Sequence, residues 1–256
     1  MEHEIKTHAV KAYKALKDRK LKFWHKVSEI GIEIAIIVFA VTLSIWVHDI
    51  SDHNHEQSDV KSFLTGLKKD LTGDLVQLQQ DSIQFLHTGQ AFTYIVSAPA
   101  GKIDGDSIKK YQPYLFNTTG FLPNNGRYEG FKSSGKLGNI EDDTLQNDII
   151  TLYQSIVPSI LASTDNYTLH KQSFFEYKNR NLRRNPAGGN NLLAILSADE
   201  GYNICGNLTY TGEICDRYHR AIVKSKKIIA EINKAYNLTD PQKPAATKPG
   251  APTAAK

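Results

Sequence analysis

The segment that most restricts this chain is "IGIEIAIIVFAVTLSIWV", Ile30 to Val47, its longest apolar run. As a helix, eighteen residues span about 27 Å, close to the hydrocarbon thickness of a bilayer. Trp24 and Trp46 lie about 33 Å apart along the same helix, where aromatic side chains would meet the two membrane interfaces. We read the run as an uncleaved signal-anchor, residues 30–48. A buried core helix is the alternative, because Glu33 shortens the uncharged stretch to Ile34–Val47. A cleaved signal peptide fits less well: the basic segment before the run is long, and no small-x-small site follows Trp46.

Charge is unevenly distributed around this run. Residues 1–29 carry eight Lys/Arg against four acids, whereas residues 49–59 carry Asp49, Asp52, Glu56 and Asp59 with no Lys or Arg. Lys/Arg bias keeps the basic side in the cytoplasm, which sends the remainder of the chain outward. The expected order is a cytoplasmic arm over 1–29, the anchor, a periplasmic domain over 49–240 and a disordered Pro/Ala/Lys tail over 241–256. Lysines in "THAVKAYKALKDRKLKFWHK" suit anionic headgroups, so the lipid bilayer is the partner they imply, and nucleic acid is not needed to explain them. Glu33 is the ionisable group inside the span, and such groups are functional candidates by default. It reads as an interfacial acid, an oligomer contact or a proton-coupling group.

Beyond the anchor the pattern is helical. Val60, Leu64, Leu67, Leu71, Leu75 and Leu78 recur at intervals of three and four, and no proline occurs until Pro99. Further helices are expected over Ser107–Phe116, over a long segment from Asp143 to about Leu182 kinked at Pro158, and over Glu213–Tyr236. "RRNPAGGNN" is a turn. The fold class is therefore all-α, a single N-terminal transmembrane helix continuing into a periplasmic helical bundle. Asp143 with Gln146 has capping-box spacing. Cys205 and Cys215, the two cysteines, suggest a disulfide in an oxidising compartment, with two separate buried thiols as the alternative.

Motifs for chemistry are sparse. "GFKSSGKL", Gly130–Leu137, differs from a phosphate-binding loop at Leu137, which cannot ligate Mg²⁺ as Ser or Thr does, and "FLPNNGRYE" before it is turn-like rather than a strand. We read Gly135 as a left-handed helix stop, with Asp142 or Asp143 capping the next helix. No nucleotide is expected. His48, Asp52 and His55 share one side of a helix and are weak metal candidates; the commoner reading is a solvated collar, so no metal and no cofactor is expected. Neither H-E-x-x-H nor G-x-S-x-G occurs, and no catalytic residue is assigned. The sequons at Asn117, Asn166, Asn207 and Asn237 are accounted for by chance.

"EIAIIVFAVTLSIWV", the following "FLTGLKKDL" and the central "YEGFKSSGKLGNIEDDTLQNDIITLYQ" together resemble a family of uncharacterised single-pass membrane proteins common in Bacteroidota (domain of unknown function 6090-like). Glu33 and Ile34 match its opening. Tyr128, Glu129, Lys132 to Gly135, Leu137, Ile140, Asp142 and Leu145 match its centre, with Phe131 in place of the usual Leu. The resemblance covers about residues 28–160 and implies a single-pass topology and an envelope location, with no activity to carry over. The leading expectation is a non-enzymatic inner-membrane protein that binds a protein partner or its own copy as an envelope scaffold. A sensory module acting through a partner, or a subunit of an ion-coupled complex using Glu33, are the alternatives.

Overall fold

The computed structural model describes residues 2–238, with the side chains of Trp24 and Glu33 and the tail from residue 241 outside the described part. The chain divides into two compact units, Met1–Ser58 and Asp59–Lys256. It is all-α: α1 (Glu2–Ser97), α2 (Gly105–Phe116), α3 (Gly126–Ser133), α4 (Asp143–Thr151), α5 (Val157–Asn181), α6 (Leu192–Ser197), α7 (Asp199–Asn207) and α8 (Gly212–Tyr236). Among the described residues there is no strand, only an isolated bridge between Arg184 and Asn190.

Within the first unit, the helix crosses the apolar run without burying it. Residues from Ile34 to Ile50 are all exposed, including Trp46 at 61%. Among the described residues α1 is the one helix long and apolar enough to cross a membrane, with an 18-residue window of mean hydropathy 2.0, none of it buried. An apolar helix with no protein against it requires another apolar phase, and a bilayer supplies one.

The second unit is built on the inner face of α1, which repeats every seven residues. Leu64, Leu71, Leu78, Phe85 and Phe92 form one buried row, and Leu67, Asp74, Asp81, Thr88 and Ile95 form the other. A seven-residue period keeps one face of a long helix against its neighbours as it winds. The first row packs with Tyr167, Phe174 and Tyr218, seen in the contacts of Phe85 with Tyr167 and Tyr218 and of Phe92 with Phe174. The second row is polar at its three middle positions. Two of them, Asp74 and Asp81, face residues 117–125, a nine-residue strap with neither helix nor strand.

A strap without a ladder must find partners for its backbone elsewhere. Here α1 provides them. Gln77 Nε2 donates to Gly120 O at 3.1 Å, and Asp74 accepts from Asn124 N at 3.1 Å and from Asn124 Nδ2 at 2.6 Å. Thr119 donates its hydroxyl to Asp81. Just upstream, Thr88 donates to Tyr114 O. Phe121 and Leu115 then enter the core as apolar plugs.

The helix expected from Asp143 onward is interrupted in a specific way. Five residues, Leu152–Ile156, form a π-turn that ends two residues before Pro158. Proline has no N–H and its ring crowds the carbonyl four residues back; one wider turn accommodates both. The cap assigned to Asp143 belongs to its neighbour. Asp142 accepts from Thr144 N and Leu145 N at 2.9 and 3.0 Å, while Asp143 is the first helical residue. Gln146 does not close a capping box either, since its Nε2 donates to Leu137 O. On the other side of the core, Asp148 lies between Lys224 (2.6 Å) and Lys227 (2.7 Å) and ties α4 to α8. Burial pushes its carboxyl up, but the two ammonium groups outweigh that and hold it below the usual carboxylate range.

The pair α6–α7 follows the Pro-Gly turn and has no strong periodic signal. Its position depends on Gly201, where an added Cβ would lie 2.1 Å from Ile195 O and 3.1 Å from Tyr177 Oη. Tyr177 donates its hydroxyl to the same Ile195 carbonyl at 2.7 Å.

The cap assignment makes a direct prediction. In thermal unfolding of the detergent-solubilised chain, Asp142→Ala costs about 1 kcal/mol, or roughly 2–4 °C for a domain of this size. Asp143→Ala shifts the midpoint by less than half as much, and equal shifts would contradict the assignment.

Candidate functional site

Two segments, "FLTGLKKDL" on α1 and "YEGFKSSGK" along α3 and just past its end, pack against each other. Phe63 and Phe131 stack with ring centroids 4.0 Å apart and planes within 4°. Arg127 Nε donates to Asp70 Oδ2 at 2.9 Å, and Lys136 Nζ to Asp59 Oδ2 at 2.7 Å. Between these two ion pairs runs an open groove of about 310 Å³, lined by Asp59, Ser62, Phe63, Arg127, Phe131 and Lys136 among others.

Gly66 makes the Arg127 contact possible. A Cβ there would lie 2.3 Å from Arg127 Cζ. The guanidinium thus lies in a notch in α1 and reaches Asp70, one turn further along. A residue type chosen for absence of a side chain, followed four positions later by a carboxylate, is an arginine-sized recess in the helix surface.

The groove is braced from beneath. Tyr128, fully buried, stacks on Tyr153 at 4.4 Å, and Gln154 Nε2 donates to Tyr128 Oη at 2.9 Å. Tyr153 and Gln154 both lie in the π-turn, whose wider winding sets their direction. Burial raises the Tyr153 hydroxyl well above its ordinary pKa, reinforced by Asp74 and Asp70. Ser133 and Ser134 donate to Gly130 O and Phe131 O and so cap α3 from within. Gly135 follows with φ 73°, the left-handed stop, and Lys136–Asn139 make one 3₁₀ turn. Gly130–Leu137 is therefore a helix end and a corner, and its lysine faces a carboxylate.

The combination of an aromatic stack, two hydroxyl-capped carbonyls and one ion pair at each edge suits docking of an amphipathic surface. Both cations are neutralised, which makes the groove a poor magnet for a free anion.

Lys171 is a second notable group. It is 2% exposed on α5, and its Nζ donates to Tyr114 O at 2.8 Å and to Asn117 O, with the Phe92 ring 5.9 Å away. The lysine thus caps the C-terminal carbonyls of α2, where a cation is favoured, and holds the start of the strap. Burial lowers its pKa from 10.5 to about 8.

The remaining sequence candidates are scattered. His48 Nε2 lies 3.4 Å from Asp52 Oδ2, both exposed, and among the described residues no group of three or more His, Cys, Asp or Glu converges. The disulfide between Cys205 and Cys215 is not formed: both thiols are free, Cys205 buried on α7 and Cys215 half-buried on α8 with its Sγ 3.8 Å from Ser82 O. An even cysteine count implies pairing only if the fold brings the two side chains together, and this one leaves them apart. Burial raises both, Cys205 to about 12, which leaves it unreactive. Periodicity did not disclose the groove, because Asp70 and Arg127 are 57 residues apart; the Gly-x-x-x-Asp spacing on α1 was the available signal.

Family models, curated proteins and solved structures show no match to this chain. What the fold and sequence define is a class: an all-helical protein with one candidate membrane-spanning helix near its N-terminus.

Two outcomes test these contacts. After Gly66→Ala, Arg127→Ala costs nothing further in thermal stability, whereas in the native background it costs about 0.5–1 kcal/mol. For Lys171, the unfolded chain holds the amine proton up to about pH 10.5, whereas the fold releases it near 8, so this group makes stability rise with pH across that window. The unfolding free energy of the native protein minus that of Lys171→Met should rise from pH 7.5 to 10.5, and a flat difference would contradict the assignment.

Proposed function

We propose that this is a non-enzymatic, single-pass protein of a bacterial inner membrane, N-terminus inside, whose helical domain on the periplasmic side acts as a scaffold by docking a protein partner in the α1–α3 groove. The observation that carries the reading is the fully exposed apolar stretch from Ile34 to Ile50 within α1. The Lys/Arg excess before it and the acids after it support the orientation. The resemblance to the Bacteroidota single-pass family supports the envelope location. Docking is supported by the groove, whose two quoted motifs build one charge-balanced, aromatic-floored surface.

The experiment has two arms. The full chain stays in the membrane pellet through an alkaline carbonate wash, and a reporter active only in the periplasm works when fused after Lys256; a silent reporter would overturn the orientation. A photo-crosslinking residue at Ser62 or Ser134 gives a discrete protein adduct that the same residue at Leu169, exposed and remote from the groove, does not. Equal labelling at both positions would remove the docking role.

A further inference from the structure

From Thr72 to Ser97, α1 carries only two charged side chains, Asp74 and Asp81, and both are buried against the strap. The exposed positions of this stretch are Thr72, Gly73, Val76, Gln79, Gln80, Ile83, Leu86, Gln90, Thr93 and Ser97. None is ionisable, although charged residues make up 23% of the chain; the half-buried His87 borders them, its Nδ1 2.9 Å from Gln90 Oε1. Val76, Ile83 and Leu86 are 55%, 55% and 49% exposed. Solvent faces of helices ordinarily carry the charges. By contrast α8, also at the surface, exposes Asp216, Arg220, Lys226, Lys227 and Lys234.

The exposed positions share the seven-residue period of the buried rows. Val76, Ile83 and Gln90 make one row, and Thr72, Gln79, Leu86 and Thr93 the other, alternating at four and three. That is the seam geometry of two helices winding around each other. Gly73 and the half-buried Ser82 flank it, small enough to let a second backbone approach.

We infer that this face is the contact between two copies of the chain, paired in parallel through α1. The occupant follows from charge and from tethering. In a parallel two-fold pair each seam residue meets its own copy, so any charge would face a like charge; a seam without charges is the composition such a pair tolerates. The inference rests on the membrane-anchored reading. Spans held in one bilayer give both copies the same orientation and a high effective concentration, which lets a seam of only three large apolar residues suffice. The glutamines and threonines that fill the remaining positions keep it soluble before pairing.

The test uses the full chain in its membrane. A photo-crosslinking residue at Val76, Ile83 or Leu86 is expected to yield self-adducts, identified by mass spectrometry across two differently tagged copies. The same residue at exposed Leu169 is expected to yield at least about tenfold less. Ile83→Lys with Leu86→Lys should abolish the adducts formed through Val76, leaving the helical circular dichroism unchanged because both side chains are exposed in the single chain. Adducts only with a different protein, equal yields at Leu169, or adducts that survive the double lysine variant would each overturn the pairing. Carbonate-resistant membrane retention is scored on the same samples, so loss of the anchor reading appears separately from loss of pairing.

Discussion

The strap of residues 117–125 cannot satisfy its own backbone, and the polar middle of α1's inner face does so for it. The rest of the domain depends on that exchange. Asp74 and Asp81 occupy buried positions where leucine would pack better in isolation, and the half-buried Gln77 lies between them. Burial raises the carboxyls of Asp74 and Asp81, opposed by the donors of Asn124 and Thr119 respectively. The cost of desolvating two carboxyls is offset because the strap then carries Phe121 into the core and delivers Arg127 to its recess. Lys171 secures the upstream end from another helix, so the strap is fixed from both sides.

The same logic explains why α3 lies where it does. Once Asn124 is bonded to Asp74, the following residues can only begin their helix beside α1, and Arg127 falls opposite Gly66. The π-turn gives a second reference point from beneath through Tyr153 and Gln154. A short eight-residue helix, too short to be stable by itself, becomes a wall of the groove because α1 holds it along one side and the π-turn from beneath.

Much of this was legible from residue order. The seven-residue rows on α1, the position of α8 and the stop at Gly135 all follow from local patterns in which side chain and backbone preference agree. Other features depend on partners distant in sequence. Asp74 and Asp81 look like solvent-facing residues until the strap is placed opposite them, and nothing near Cys205 or Cys215 announces that their side chains part company. α6 and α7 were missed because "LLAILS" and "DEGYNICGN" are short and hold their shape through tertiary contacts such as Gly201 on Ile195. The cap moved by one residue, from Asp143 to Asp142, since two adjacent aspartates offer the same chemistry and only the backbone angle decides.

The two inward aspartates also bear on the order in which the domain can come together. Asp74 and Asp81 lie on the face of α1 that the core covers, and their donors come from Asn124 and Thr119, 50 and 38 residues further along the chain. Packing that face before the strap arrives would bury two carboxyls without partners, which is costly. The inner face of α1 therefore closes together with the strap rather than ahead of it.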